Sequence, residues 1–583
     1  MTTERHFATE KDLDEFIDAL GKFERGEWMP DQWKAFRLTR GIYGQRQQNT
    51  QMIRIKIPQG VLSARQLQRL GDVAGEFSRG IGHVTTRQNI QIHFVALANV
   101  PTAMERIQEV GLTTREACGN TVRNVVACPF AGVCADAPFD VSPYAEAVTR
   151  HFLRNEICQT LPRKFKITVS GCPWDCAQAA INDVALIAKT RGAASGAIER
   201  GFEMRVGGGL STSPEDAHKI EDFVPVDELL ARAEAVVRVF NRLGNRKNKA
   251  RARLKYVIRT IGFDAARAEY ETEIEALKEK DLLRHVLTDT PADDAPQNLS
   301  SGNGAARDAV PLPHFSAWRR TNVRAQKQPG FSAVIVRLFR GDITTSQFHA
   351  LARLCEEFGD GTVRLGIDQN LVVRFVRNDR LAAVHCALDA IGLGKAGAST
   401  IVDVTACPGA ETCNLAVTAS RELARDIGEQ LENAGAQSDL VQLGESLKVK
   451  VSGCPNSCGQ HHIAGFGFHG VVKKVDGRAV PYYQLHLGGG IEPDRAVFGR
   501  QVVKIPARRI SEAILRLLAL YKDKRAPDES AIAFFRRATD DEIHRAVGDI
   551  AEVTAANQRP EDFCDLGSDQ PFVVEMGEGE CAA

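Results

Sequence analysis

The chain is written twice over, and no other feature of it restricts the fold so far. QMIRIKIPQGVLSARQLQRL (51–70) reappears as SAVIVRLFRGDITTSQFHAL (332–351), and TTRQNIQIHFV (85–95) as GIDQNLVVRFV (366–376). ACPFAGVC (127–134) then matches ACPGAETC (406–413), VSGCP at 169 matches VSGCP at 451, and RVGGGL (205–210) matches HLGGGI (486–491). The order is kept and the offset stays between 279 and 282 residues, which scattered matches would not do. Two copies of one unit, related by an approximate two-fold axis, are expected.

Each copy opens on alternating apolar residues, Ile53, Ile55 and Ile57, then Ile90, Ile92 and Phe94, with a helix-period segment between them. A cysteine-bearing unit follows. In it FKITVSG reads as a strand, Gly171 to Pro173 as a tight turn and DCAQAAINDVALIA as a helix running into another strand, with Pro173 and Pro455 suited to a first helical turn. The expected division is an N-terminal extension over 1–45, a β-α-β half-domain over 46–118 and a cysteine-bearing domain over 119–286. A linker rich in Pro, Gly, Ser, Asn and Asp covers 287–313. The second copy repeats the pattern over 314–397 and 398–525, and 526–583 is a C-terminal extension.

Eight of the fourteen cysteines form two matched quartets, Cys128, Cys134, Cys172, Cys176 and Cys407, Cys413, Cys454, Cys458. The other six (Cys118, Cys158, Cys355, Cys386, Cys564, Cys581) lack such partners and read as small, mostly buried residues. Zinc is one reading of a quartet, but zinc knuckles use tighter C-x2-C to C-x4-C hairpins than this C-x5-C. A four-iron cluster is larger and accepts the wider spacing, and amides at a helix start beside the C-x3-C pair would donate to its sulfurs.

ACPGAETC followed by VSGCPNSCGQ resembles the sirohaem-dependent sulfite and nitrite reductases, and the resemblance covers about 500 residues, including the duplicated layout. It implies an α+β fold: an internally duplicated ferredoxin-like half-domain, each copy followed by a mixed α/β 4Fe-4S-type domain, with pseudo-two-fold symmetry. It also implies that Cys407, Cys413, Cys454 and Cys458 hold a 4Fe-4S cluster, and that Cys458 further ligates the sirohaem iron. By the same resemblance Arg54, Arg123, Lys164 and Lys166 line the distal face and grip substrate, while Arg46, Arg87, Lys249 and Arg253 meet the carboxylates of the macrocycle. Lys164 and Lys166 alternate on an expected strand and so point the same way. Taken singly, any of these cations reads as a solvated side chain; it is the matched segments around them that favour a site.

The second copy lacks most of these cations. Ile335 stands where Arg54 does, Asp368 for Arg87, Val402 for Arg123 and Ser446 for Lys164; only Lys166 keeps a basic counterpart, Lys448. One catalytic sirohaem is expected, where the C-half quartet meets the N-half cations. The N-half quartet raises a second 4Fe-4S cluster without haem, against the alternative of vestigial buried thiols.

The leading reading is an assimilatory six-electron reductase taking sulfite to sulfide, with nitrite to ammonia as the alternative and a non-catalytic iron–sulfur electron carrier as a second. A monooxygenase of cobalamin synthesis with a related fold is expected to be shorter. No strand leads into a G-x-G-x-x-G helix start, so an external donor, ferredoxin or a flavoprotein, is expected. The formal net charge of zero offers no global field for nucleic acid or membrane, and no apolar run approaches a membrane span. A soluble, cytoplasmic protein is expected.

Overall fold

The computed structural model describes residues 5–192, 196–284, 310–435, 438–493, 495–575 and 577. All but 310–313 of the expected linker falls outside these residues, and so does Cys581.

The alternating segments form antiparallel sheets, as their pattern requires, but neither copy completes its sheet alone. In the first sheet the order is Ile42–Gly44, Thr50–Ile55, Ile90–Ala96, Ile81–Val84, and the fifth strand is Asp342–Thr344 from the second copy. The second sheet mirrors it, with Val61–Ser63 of the first copy laid beside Thr362–Leu365. Each exchanged strand leads into a helix whose start is closed by a capping box. Ser63 Oγ accepts from Gln66 N, Thr344 Oγ1 accepts from Gln347 N, and each glutamine side chain returns a bond to the cap amide. The two helices, Ala64–Phe77 and Thr345–Phe358, then pack on each other where Gly71 leaves room for Phe348; a Cβ on Gly71 would come within 2.8 Å of the Phe348 Cβ. One apolar core, including Ile53, Leu67, Val334 and Leu351, runs through both half-domains. The first half-domain begins at Ile42–Gly44, ahead of the expected boundary at 46, because that strand pairs with Thr50–Ile55.

Each cysteine-bearing domain carries its own five-stranded mixed sheet. In the first, Val126–Ala127, Ile167–Ser170 and Val184–Gly192 run parallel, and Ile198–Val206 and His218–Pro225 complete it antiparallel. The second repeats this order from Thr405–Ala406 to Arg500–Pro506. Its helices Ala531–Arg537 and Asp540–Ala551 pack Phe534, Phe535 and Val547 into that domain's core, so much of the C-terminal extension belongs to the domain.

The helix expected after each C-x3-C pair is absent. Asp175 (φ 49°) and Gln178 (φ 53°) in one copy, and Ser457 (φ 57°) and Gln460 (φ 66°) in the other, take left-handed conformations that no α-helix tolerates. A short 3₁₀ turn follows instead, Ala179–Ile181 or His461–Ile463, and runs straight into a strand. Pro173 and Pro455 therefore sit in turns rather than helix starts.

Two buried glutamines fasten the layers together. Gln88 donates from Nε2 to Ala127 O at 2.8 Å and to Leu365 O of the other copy at 2.7 Å. Gln369 repeats the scheme, donating to Val84 O at 2.9 Å and accepting from Ala406 N at 2.8 Å. Each half-domain is thus tied both to its own cysteine strand and to the opposite copy.

Candidate active site at the junction of the halves

The C-half quartet gathers on two loops. Cys407 follows the strand Thr405–Ala406, Cys413 closes the next turn, and Cys454 and Cys458 follow Val449–Ser452. The Gly453 amide donates to Cys407 Sγ at 3.2 Å. Side chains are excluded there: a Cβ on Gly453 would lie 2.8 Å from Thr418 O and 2.9 Å from Gly409 Cα. Burial, then Cys458 and Cys407, pushes the Cys413 thiol up to about 12, and the same causes raise Cys454. Burial, with the neighbouring sulfurs adding to it, holds Cys407, Cys413 and Cys454 as thiols, and together with Cys458 they form a four-sulfur donor set; a multinuclear iron centre needs one thiolate per iron. The residues fit the cluster.

The cations of the other copy lie against this loop. Thr86 Oγ1 donates to Cys458 O at 3.1 Å, which places the TTRQN turn on the last cysteine of the C-half quartet. Next in sequence, Arg87 is half-buried and donates to Thr168 Oγ1 (3.1 Å), Asn182 Oδ1 (2.8 Å) and Asn124 O (2.7 Å), leaving its Nε without a partner. Burial brings its guanidinium down to about 9, and Arg123 and Arg253 add to the effect while Asp183 opposes it. Lys166 lies well below the usual lysine range for related reasons: burial first, then Arg253, Arg87 and Lys164. The structure therefore brings Arg87, Arg123, Arg253, Lys164 and Lys166 into one electrostatic group. Lys164 and Lys166 flank the lone bridge Val122–Phe165, just ahead of the strand that begins at Ile167.

The anion that holds this group together is Asp183, which sequence reasoning missed. Its carboxylate accepts from Arg253 Nε (3.1 Å) and Nη2 (2.8 Å) and from the Lys166 backbone N (2.8 Å). Asn182 beside it receives Arg87. The signal was the polar pair Asn182–Asp183 inside the apolar run AAINDVALIA, which a helix assignment obscured.

The remaining expected site residues stand elsewhere around the junction. Arg54, on Thr50–Ile55, lies 5.8 Å from the Tyr43 ring, and Gln91, with its amide oxygen turned toward it, accepts from Arg54 Nε at 3.2 Å and Nη2 at 2.6 Å. Arg123, within the group around Arg87, is itself oriented by Gly119 O and Ala117 O, to which it donates at 2.9 and 3.0 Å. Arg46 binds the cysteine loop itself, donating from Nη2 to Cys413 O (3.3 Å), Ala416 O (3.1 Å) and Glu575 O (2.9 Å). Lys249, itself half-buried, opens the otherwise exposed 3₁₀ turn Lys249–Arg251, whose Ala250 amide is capped by Asn248.

The pseudo-symmetric position is built differently. Asp368 stands in for Arg87, and Lys450 Nζ and Lys448 Nζ approach its carboxylate at 2.8 and 3.5 Å. Burial opposes its ionisation, yet the two lysines hold it well below the usual carboxylate range. Beside them Phe130, from the N-half C-x5-C loop, packs against Ala333, Ile335, Val372 and Ala398. Asp368 thus offsets the lysines, and apolar side chains pack where the other copy carries Arg54 and Arg123. The N-half thiols nonetheless converge closely enough to act on one another in pairs: Cys176 helps to raise Cys128, and Cys172 draws Cys134 down to about 6. The thirteen cysteines among the described residues are all free thiols.

Comparison with known proteins agrees with this architecture. The family described as nitrite and sulphite reductase 4Fe-4S domain matches residues 118–278 and 397–533. The nitrite/sulfite reductase ferredoxin-like half domain matches 43–110 and 324–391. Sulfite reductase (ferredoxin) 1 of Mycolicibacterium paratuberculosis is 31% identical over 501 residues, covering 84% of this chain and 83% of its own. The assimilatory ferredoxin-dependent nitrite reductase of Haloferax mediterranei is 30% identical over 563 residues, covering 92% and 89%. The structure of the Mycobacterium tuberculosis NirA protein superposes with a TM-score of 0.73 at 28% identity, covering 91% of this chain and 97% of that one. With its duplicated half-domains and paired cysteine domains, this chain belongs to the sirohaem-dependent nitrite/sulfite reductase family and is an oxidoreductase that depends on sirohaem and a 4Fe-4S cluster.

Proposed function

We propose that the chain is an assimilatory sulfite reductase that takes sulfite to sulfide at one sirohaem, seated where the C-half quartet meets the N-half cations. The observation that carries this is the contact of the TTRQN turn with Cys458, which sets Arg87, and with it a group of five buried or half-buried cations of one copy, beside the cysteine loop of the other. Cys407, Cys413, Cys454 and Cys458 would hold the cluster, with Cys458 shared with the haem iron. Arg46, Arg87, Lys249 and Arg253 would serve the macrocycle carboxylates. When bound, the two iron centres supply six electrons one at a time to a single small anion.

The chain's own residues do the rest. Arg54, Arg123, Lys164 and Lys166 would surround the substrate, and this density of positive charge suits three-oxygen sulfite, which can carry two negative charges, better than singly charged two-oxygen nitrite. The names of the mycobacterial relatives point the same way, and nitrite to ammonia is the second reading, favoured by the name of the haloarchaeal one. Burial and neighbouring cations make Lys166 a readier proton donor than a free lysine, so its Nζ can pass a proton as oxygen departs as water. Ferredoxin is the proposed donor and the cytoplasm the proposed site of work, consistent with the free thiols. Among the described residues no helix is long and apolar enough to cross a membrane.

We propose a second 4Fe-4S cluster at Cys128, Cys134, Cys172 and Cys176, without haem. The paired thiols support the cluster, and the Asp368–Lys450 pair and the Phe130 packing argue against an anionic macrocycle beside it. The test is the absorption spectrum of anaerobically purified protein, with iron per chain and turnover of sulfite and nitrite from a reduced dye. Sirohaem bands with iron near ~9 per chain are expected for one haem and two four-iron clusters, against ~5 if the N-half quartet is empty. Absence of a haem band in cofactor-replete protein would overturn the reductase reading.

A further inference from the structure

Three residues beyond Cys458, the chain turns into a group of imidazoles that the reductase chemistry does not use. His461 and His462 lie in the 3₁₀ turn, His469 on the strand Phe466–Val475 and His486 on Arg478–Leu487. All four are buried. Ring centroids of His461 lie 4.1 Å from His462, 4.7 Å from His486 and 4.9 Å from His469. His461, His462 and His486 can each turn one ring nitrogen into a common space, with these atoms all within 4.8 Å of one another.

Two further observations point to a ligand there. His461 is fully buried, yet neither its Nδ1 nor its Nε2 has a hydrogen-bond partner. Leaving such a group unpaired is costly, so the arrangement is that of a site rather than of packing. The neighbouring rings are oriented from behind by carbonyls. His462 Nε2 lies 2.8 Å from Ser211 O and His486 Nδ1 lies 3.4 Å from Gly499 O. A carbonyl only accepts, so those nitrogens carry the protons. The opposite nitrogens, His462 Nδ1 and His486 Nε2, are left with lone pairs. That is how metal-binding imidazoles are generally held. At present His469 Nδ1 donates to His486 Nε2 at 2.9 Å, which makes His469 the group that releases this lone pair or joins as a fourth ligand.

The duplication provides an internal control. The positions equivalent to His461, His462, His469 and His486 are Ala179, Ala180, Ile187 and Arg205, and Ala179 packs with Ala185 and Ile187 in a small apolar cluster. The fold therefore has no need of imidazoles at this place.

We infer that His461, His462 and His486 bind a divalent transition metal of the zinc class, with His469 beside them. Three neutral imidazoles suit zinc better than a hard oxygen-seeking cation. The ion would clamp the turn after Cys458 to two strands of its sheet, and through His462 to the Ser211 loop of the other copy.

The test uses the full chain purified with its iron centres, exposed to zinc chloride, desalted, and analysed for zinc and iron by mass spectrometry. Wild type is expected to retain ~1 zinc per chain, and the double variant His461→Gln/His486→Gln to lose it at least ~10-fold with iron unchanged. Cys176→Ser is expected to keep zinc, since the thiols are not its ligands. Wild type holding under ~0.1 zinc per chain, zinc surviving the double substitution, or zinc lost with Cys176→Ser would each overturn the inference. Should the double variant not accumulate folded, zinc-edge absorption of wild type decides. A nitrogen shell near ~2.0 Å supports the site and a sulfur shell near ~2.3 Å refutes it.

Discussion

Asp183 is the carboxylate that Arg253 and the Lys166 amide share, and replacing it with Asn tests whether the cationic group is held as described. Both partners of the Asp183–Arg253 pair are nearly sealed from water, with side-chain exposures of 0% and 9%, and the contacts are 2.8 and 3.1 Å. Removing one partner of a buried pair costs about 3–5 kcal/mol, because the other charge is left uncompensated. An amide keeps one acceptor for the Lys166 amide or Arg253, so the lower end, about 3 kcal/mol, applies. For a cooperative unit of roughly 150–250 residues this is about 6–12 °C in thermal midpoint. The assay is calorimetry on wild type, Asp183→Asn, Arg253→Met and the double variant, closed as a cycle. A coupling near 3 kcal/mol is expected. A value under about 1 kcal/mol, the range of exposed pairs, would refute the view that Asp183 anchors Arg253.

Cys458→Ser is expected to lose or displace the haem-coupled cluster while Cys176→Ser keeps the haem bands, and equal haem loss in both would refute the asymmetry between the quartets. Lys166→Ala and Arg123→Ala are expected to lower sulfite turnover by about 10²-fold or more with both cofactors retained, measured with a reduced dye against iron content; unchanged turnover would remove them from the site. Burial lifts the Asp565 carboxyl to about 6. The native state then binds more protons than the unfolded one between that value and the unfolded value of about 3.9, so this group makes stability fall as pH rises through the window. Asp565→Asn is expected to flatten that slope in melts from pH 4 to 7, and an unaltered slope would count against it.

The duplication was legible because repeated motifs at a constant offset need no three-dimensional information. The convergence of Arg87, Arg123, Arg253 and the two lysines was legible only through family resemblance, since these residues come from four separated segments and no local pattern joins them. Two features were not legible. The helix expected over DCAQAAINDVALIA failed because Asp175 accepts from the amides of Ala179 and Ala180 and from Ser170 Oγ, a local network that competes with helical bonding and holds the chain in a left-handed turn. Strand exchange left no mark because Val61–Ser63 and Asp342–Thr344 are three residues long and pair across the halves. So short a strand carries no readable periodicity.

That exchange also sets a timetable for biosynthesis. Ile81–Val84 has its partner strand at Asp342–Thr344, roughly 260 residues later. At about 5–20 residues per second the ribosome needs some ~13–50 s to supply it. Throughout that interval the nascent N-terminal half presents an unpaired sheet edge and the open side of a shared core, the conditions under which chains associate with one another. Chaperone dependence during translation, and a yield that falls when the second half is delayed, follow from a fold in which neither half can be finished first.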